Sequence, residues 1–408
     1  MTPRSTADAA VAYLSTPEAI RERAGAVLAA GLAGQLSHFT IDLSRLASTA
    51  ELVATVTRER YPALKVPLHS RWRHFDVGGY DRVAELERTL SRASADERVR
   101  AKLDLAVVSV LLDAGAGSGW CYVEAETGQQ HARSEGLAVA SFRMFESGFF
   151  SADRKEPMRV DAAALSTVTD ERLAAALQVS ASNPLAGLSG RAALLRELGR
   201  ALQHAPELFG TREPRPGRVL DALRETSNEV DVADILRAVL EGLGPIWPGR
   251  IVLDGVNLGD VWLHPAAGGT GAAAGLVPLH KLSQWLTYSL IGPLSEAGMA
   301  IRGLDRLTAL AEYRNGGLLF DTGVLSPRHA AVLGEIHRPG DEVVVEWRAL
   351  TVALLDRLAP LVRERLGAPD LSLASILEGG TWAAGRRLAN ERRGGAAPIR
   401  IDSDGTVM

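Results

Sequence analysis

Apolar positions along this chain recur mostly at intervals of three and four, the period of a helix that turns one face inward. Behind Ser15-Thr16-Pro17-Glu18, a capping box with a proline for the first turn, Ile20, Ala24, Val27, Leu28, Gly31 and Leu32 fall on one face. Ser94 and Glu97 form a second capping box ahead of Val99, Leu103, Val107 and Val110, and the glycines between Gly115 and Gly119 stop that helix. Val343, Trp347, Leu350, Leu354, Leu358 and Leu361 repeat the pattern behind Asp341 and Glu342, whose charges suit a helix N-terminus. A further amphipathic helix follows Lys281, with Leu282, Trp285, Leu286, Ser289 and Leu290 on its face. Leu304, Leu307 and Leu310 predict another, ending in the run Glu312–Gly317.

Alternation of the strand kind is confined to Trp120–Glu124, Arg250–Leu253, Leu318–Asp321 and Ile399–Ile401. The regular strand–helix exchange of a doubly wound sheet is missing, so the fold class is mainly α with minor β. Proline and glycine crowd the stretch Ala205–Gly217, which places a boundary between a helical region 1–205 and a second helical region 218–408, unless the two form one continuous domain. The Gly/Ala segment 266–275 reads as a mobile loop, with a lid as the sharper alternative.

Composition narrows the function. Of 408 residues, 46% are hydrophobic and 23% charged, enough for a substantial core. The net charge of −4 offers no basic field for a polyphosphate, so no nucleic-acid partner is expected. The longest strongly apolar stretch, Leu105–Leu112, is far short of a membrane span, and the first residues lack a signal-peptide pattern. A cytoplasmic protein with no membrane partner is the expectation. A single cysteine, Cys121, excludes an internal disulfide and every CxxC metal site. Lysine occurs only at Lys65, Lys102, Lys155 and Lys281, against 41 arginines.

Common catalytic signatures are missing. There is no phosphate loop ending in Gly-Lys, no G-x-S-x-G elbow and no H-E-x-x-H pair. Gly269–Gly275 imitates a dinucleotide loop but follows His264-Pro265 rather than a strand. His264 and His280 lack metal-ligand spacing, so neither metal nor cofactor is expected. What stands out is a concentration of chemically capable groups between Gly244 and Arg314, among them Asp254, Asn257, Asp260, Trp262, Lys281 and Glu312. Each has a structural alternative. Asp254-Gly255 suits a turn, Asn257 a cap, Lys281 a solvated helix start, and Trp285 with Tyr288 a core stripe. Arg314 before Asn315-Gly316 suits a helix C-terminus.

At these residues the chain resembles a known family. Leu253-Asp-Gly-Val-Asn257, Val261-Trp-Leu-His-Pro265, Leu310-Ala-Glu-Tyr-Arg-Asn-Gly-Gly317 and Gly379-Gly-Thr-Trp-Ala-Ala-Gly385 are similar to the uracil-catabolism family of bacteria and fungi (URC pathway, Urg type). Ser70-Arg-Trp-Arg-His-Phe75, Phe142-Arg-Met-Phe-Glu-Ser147 and Asn183-Pro-Leu-Ala-Gly-Leu188 fit as well. The resemblance runs from about residue 15 to the C-terminus. It implies a pathway that opens the pyrimidine ring at the nucleotide level, through a ribosylurea-type intermediate, with urea as a product. It does not fix the step.

A more distant likeness is to the queuosine-salvage N-glycosidases, helical proteins reminiscent of DNA glycosylases. Asp254, Asn257 and Trp262 match one of their patterns, and Ala311-Glu312-Tyr313-Arg314 with Gly323-Val324-Leu325 match another. Glu312 stands where that family has aspartate and Leu258 where it has phenylalanine, so queuosine itself is not the implied substrate. The likeness implies a DNA-glycosylase-like architecture and hydrolysis of the C1′–N bond of a small phosphorylated ribosyl substrate, a ribosylurea 5′-phosphate. In that reading Asp254 stabilises the oxocarbenium-like state or acts as base, and Asn257 holds it or a ribose hydroxyl. Glu312 binds ribose or handles the second proton. Lys281 and Arg314 meet the phosphate, with Tyr313 between Glu312 and Arg314, while Trp262 and Trp285 exclude water. The alternatives are a metal-free amidohydrolase acting on a ureido intermediate and a non-catalytic pathway scaffold.

Overall fold

A computed structural model describes residues 6–117, 119–248 and 250–402. Helices carry most of the chain and the strands are two or three residues long, which makes the fold mainly α with minor β. The chain divides into two compact units built from interleaved segments. The first takes the described residues of Met1–His69, Gly249–Gln284 and Gly303–Asp402, and the second Ser70–Pro248 with Trp285–Arg302. The Pro/Gly stretch at 205–217 lies inside the second unit, where the Pro214 carbonyl accepts the Ala162 amide.

In the first unit the capping signals work at the level of single atoms. The Thr16 hydroxyl accepts the Ala19 amide at 3.1 Å and Pro17 opens the helix Pro17–Leu32. That helix buries Ile20, Ala24, Val27 and Leu28, the face set by the 3–4 period. The helix Glu342–Leu366 is the axis of the unit, packed against Pro17–Leu32 and Leu46–Arg60. Every residue from Val343 to Leu355 is buried, so neighbours surround this stretch on all sides. Gly367 ends it in the left-handed conformation, φ 65°. Helices Tyr313–Asp321 and Trp382–Arg393 pack so closely that a Cβ on Gly385 would lie 2.1 Å from the Arg314 carbonyl oxygen. Short strand pairs, such as Val261–Leu263 with Leu276–Pro278, stitch the connections between helices.

Two local expectations fail, for related reasons. Leu318–Asp321 is helix rather than strand, because Glu312 caps a helix that begins at Tyr313 and runs through these residues. Leu304–Leu310 forms only a short 3-10 turn at Leu304–Arg306, after which the chain carries no regular helix up to Glu312. Its polar groups find tertiary partners instead. The Thr308 amide donates to Gln284 Oε1 at 3.0 Å, and the Ala311 carbonyl accepts Arg348 Nε at 3.2 Å. Arg314 therefore lies at the start of a helix and not at its end.

The second unit packs the helices Ala95–Leu112, Arg133–Glu146 and Leu188–His204 around several buried ion pairs. Arg215 grips Asp104 through Nε at 2.8 Å and Nη2 at 2.6 Å. Glu124 accepts from Arg82 Nε at 2.8 Å, Arg143 Nε at 2.8 Å and the Thr127 hydroxyl at 2.7 Å. Burial alone would raise the Glu124 pKa, but these donors outweigh it and hold the carboxyl down at about 2.

Two outcomes follow. A folded-state pKa below the ordinary 4.5 means that the Glu124 ion pairs stabilise fully above pH 4.5 and that this contribution is lost as pH falls from there to about 2. Denaturant titrations across that window should show the loss in the parent and a flatter profile in Glu124→Gln. Gly385→Ala forces a methyl into the Arg314 backbone and should cost about 1–3 kcal/mol in chemical denaturation. Gly25→Ala, in a helix with nothing within 4 Å of the new methyl, should be neutral or stabilise by up to about 1 kcal/mol.

Candidate functional site

All of this site lies in the first unit. Its centre is Asp260, the residue before strand Val261–Leu263. Arg348, buried on the axial helix, holds Asp260 with two parallel bonds of 2.8 Å, Nη1 to Oδ1 and Nη2 to Oδ2. Trp262 Nε1 donates to the same carboxylate at 2.6 Å, and the Lys281 amide does so at 2.9 Å. Burial would raise the Asp260 pKa, but the Arg348 charge and these donors hold it far below the usual carboxylate range. The pair favours the ionised form of Asp260. The third arm of Arg348 reaches the Ala311 carbonyl, so one guanidinium ties the 254–262 segment to the segment that opens with Glu312.

Glu312 is the N-cap of helix Tyr313–Asp321. Its Oε2 accepts the Arg314 amide at 2.9 Å and its Oε1 the Asn315 amide at 2.5 Å. The cap fixes the side chains that follow. Arg314 is buried with its guanidinium 4.3 Å from the Trp382 ring centroid and 5.4 Å from that of Tyr313, whose hydroxyl accepts Arg314 Nε at 3.1 Å. Arg386 lies 5.4 Å from the Trp382 ring as well. Asn315, fully buried, donates Nδ2 to the Leu310 carbonyl at 3.3 Å, while its Oδ1 has no hydrogen-bond partner among the described residues.

Just before Trp382 the chain makes a π-helical turn, Leu377–Thr381, an irregularity that often accompanies functional sites. Gly380 permits it, because a Cβ there would stand 2.4 Å from Val53 Cγ1. The turn aims Glu378 inward, where its carboxylate accepts from the Tyr61 hydroxyl and from Arg60 at 3.2 Å each and lies 2.9 Å from His69 Nδ1. The His69 ring stands 5.8 Å from that of Trp382. The result is a run of polar and aromatic groups from Asp260 through Arg348, Glu312 and Arg314 to Trp382 and the His69–Glu378 pair. Fixed cations beside aromatic faces suit an anionic ligand with a flat or sugar-like body. Buried carboxylates beside histidine suit proton transfer.

The residues singled out by sequence are distributed unevenly over this arrangement. Trp262 Nε1 and the Lys281 amide bond to Asp260, and Arg348 ties Asp260 to the Ala311 carbonyl, just before Glu312, Tyr313 and Arg314. Asp254 is exposed at the tip of a two-residue hairpin turn with φ 51°, followed by Gly255 at 80°, the conformation that favours Asp-Gly. Asn257 accepts the Gly259 amide at 3.0 Å in a local turn. Trp285 is buried in the second unit, with Arg71 and His74 each 5.6 Å from its ring. Trp382 lay in the family motif Gly379–Gly385 without an assigned role, and Arg348, Arg386, His69 and Glu378 were not singled out from the sequence. Asp260 stood in the polar concentration without a role. Among the described residues, a group that could hold a metal lies elsewhere in this unit: His38, Glu342 and Glu346.

Comparison with known proteins agrees with the resemblance seen in the motifs. Residues 13–408 match the family model described as "Protein of unknown function (DUF1688)". "Protein urg3" of Schizosaccharomyces pombe is 40% identical over 410 residues, covering 98% of this chain and 99% of that protein. "Uracil catabolism protein 4" of Lachancea kluyveri is 38% identical over 440 residues, covering 99% and 100%. With identity this high over essentially the whole length, the chain belongs to the DUF1688 family of uracil-catabolism proteins.

Proposed function

We propose that this protein is an enzyme of uracil catabolism that hydrolyses the C1′–N bond of a ribosylurea 5′-phosphate or a close analogue. Water supplies hydroxyl to C1′ and a proton to the departing nitrogen, giving urea and a pentose phosphate. The pathway is supported by the names of the relatives. The observation that carries the step is the three-armed Arg348, which joins the Asp260–Trp262 segment to the Glu312–Arg314 segment. Two stretches far apart in sequence, each rich in the groups that glycosidic cleavage requires, are thereby tied to one guanidinium.

Such cleavage develops positive charge at the anomeric carbon and needs a proton for a poor anionic leaving group. Glu312, with Asn315 behind it, is assigned to the ribose. Arg314 and Lys281 are assigned to the phosphate, as a planar fork and a point charge for different oxygens. Trp262 and Tyr313 would screen the reacting carbon from bulk water. Asp254 remains the candidate for the stabilising carboxylate. The hairpin carries it at an exposed tip.

Supplying the ribosylurea with and without its 5′-phosphate, and following urea and free sugar phosphate, tests the reaction directly. Release of ammonia without urea would instead indicate amide hydrolysis of the ureido group. Asp254→Asn should abolish most turnover with the circular dichroism unchanged, and full activity would return Asp254 to its turn. Loss of a charge-assisted contact of about 1.5–3 kcal/mol predicts that Lys281→Ala or Arg314→Ala lowers kcat/KM for the phosphorylated substrate by roughly 10- to 100-fold. The dephosphorylated analogue should be barely affected. Equal losses on both would remove these residues from the phosphate.

A further inference from the structure

A second cluster of ionisable groups in the first unit takes no part in the arrangement around Asp260. Glu342 and Glu346 are one helical turn apart at the start of Glu342–Leu366, and two like charges so placed repel unless something holds them. The chain entering strand Phe39–Ile41 brings His38 to them, with Nε2 3.6 Å from Glu342 Oε1. One ligand atom from each of His38, Glu342 and Glu346 lies within 4.8 Å of the others. Bonds of about 2.0–2.2 Å around a metal put ligand atoms roughly 3–4 Å apart, so a small contraction completes the geometry.

The surroundings are built to orient these three groups. Glu346 is fully buried, and its Oε1 accepts two backbone amides, from His38 at 3.2 Å and Phe39 at 2.9 Å. Its Oε2 has no hydrogen-bond partner among the described residues. Opposite stands His264, 2% exposed, whose Nδ1 accepts the Ala266 amide at 3.1 Å. That bond leaves the proton of a neutral ring on Nε2, which faces Glu346 Oε2 at 3.5 Å, beyond hydrogen-bond geometry, and is itself without a partner. His38 Nδ1 lies 3.1 Å from His329 Nε2; in the tautomer in which His38 donates to His329, its Nε2 lone pair is available to a metal. A cavity of about 560 Å³ opens beside these groups, lined by His264, Glu342 and Glu346 and by the small Ala26, Ala29 and Ala30.

We propose that His38 Nε2, Glu342 and Glu346 Oε2 bind a divalent transition-metal ion, with His264 and His329 as positioning residues and the remaining coordination positions open to this cavity. One imidazole and two carboxylates suit zinc or manganese, and a site with only three protein ligands leaves room for water or an oxygen of a small molecule. No local spacing announces the site, because His38 and Glu346 are 308 residues apart in sequence. The proposal does not depend on the glycosidic reading.

The test uses the full chain after chelator treatment, titrated calorimetrically with Zn²⁺ and with Mn²⁺, the latter also followed by electron paramagnetic resonance. One ion per chain and a rise in Tm with ion concentration are expected. Glu342→Gln removes a part-exposed ligand and His38→Asn a part-buried one. Each should weaken binding by tenfold or more with circular dichroism unchanged, whereas Glu346→Gln also touches the buried amide pair and is informative only if it folds. His264→Gln should weaken affinity by about 10-fold while preserving the one-ion stoichiometry. No ion uptake by the parent, or uptake unchanged in both Glu342→Gln and His38→Asn, would overturn the proposal.

Discussion

The first unit depends on one buried salt bridge, between Asp260 and Arg348. A guanidinium carried into a helix core is tolerable only where its donors and its charge are both matched. Here a carboxylate takes two arms in parallel and a backbone carbonyl takes the third. The bridge also does topological work. It fixes a short strand, the start of helix Lys281–Glu296 and the irregular stretch before Glu312 to the axial helix, and none of these has enough regular structure of its own to hold such positions. Removing either partner would leave the other charged and buried, a defect of about 3–5 kcal/mol in comparable settings.

Around that bridge the unit spends irregular backbone where chemistry is concentrated. The helix cap at Glu312 points two amides at one carboxylate, the π-helical turn at Leu377–Thr381 places Glu378, and His280 adopts φ 43° immediately before Lys281. Deviations of this kind persist because packing over-determines them, and they cluster at binding sites more than in ordinary cores. The second unit contrasts with this. Two of its buried clusters, Asp104 with Arg215 and Glu124 with Arg82 and Arg143, match carboxylate to guanidinium and read as structural.

The strand Val261–Leu263 and the axial helix exchange two acid–base contacts of opposite polarity. Asp260 on the strand side meets Arg348, and His264 meets Glu346 two residues earlier on the helix. The first is a saturated bond network. The second leaves an oxygen and a nitrogen facing a cavity without hydrogen bonds, and that difference separates a structural pair from one positioned for a ligand.

Sequence alone determined what depends on near neighbours. The 3–4 spacing of Ile20, Ala24, Val27 and Leu28 and the caps at Thr16 and Ser94 gave helices where the structure has them, because capping and amphipathicity act within a turn or two. The Asp254-Gly255 turn was legible for the same reason. The whole-chain family was legible in its motifs. Local pattern failed at Leu304–Leu310 and Leu318–Asp321, where Gln284, Arg348 and the Glu312 cap decide the conformation. The partners at the candidate sites were invisible in the same way. Glu346 and Arg348 lie in the axial helix but off the apolar face that its periodicity marks, Trp382 lies in a family motif that assigned it no role, and Glu378 precedes that motif. Only folding brings Asp260, Arg314, His69 and His38 within bonding or stacking distance, since contacts between residues hundreds of positions apart leave no trace in local spacing.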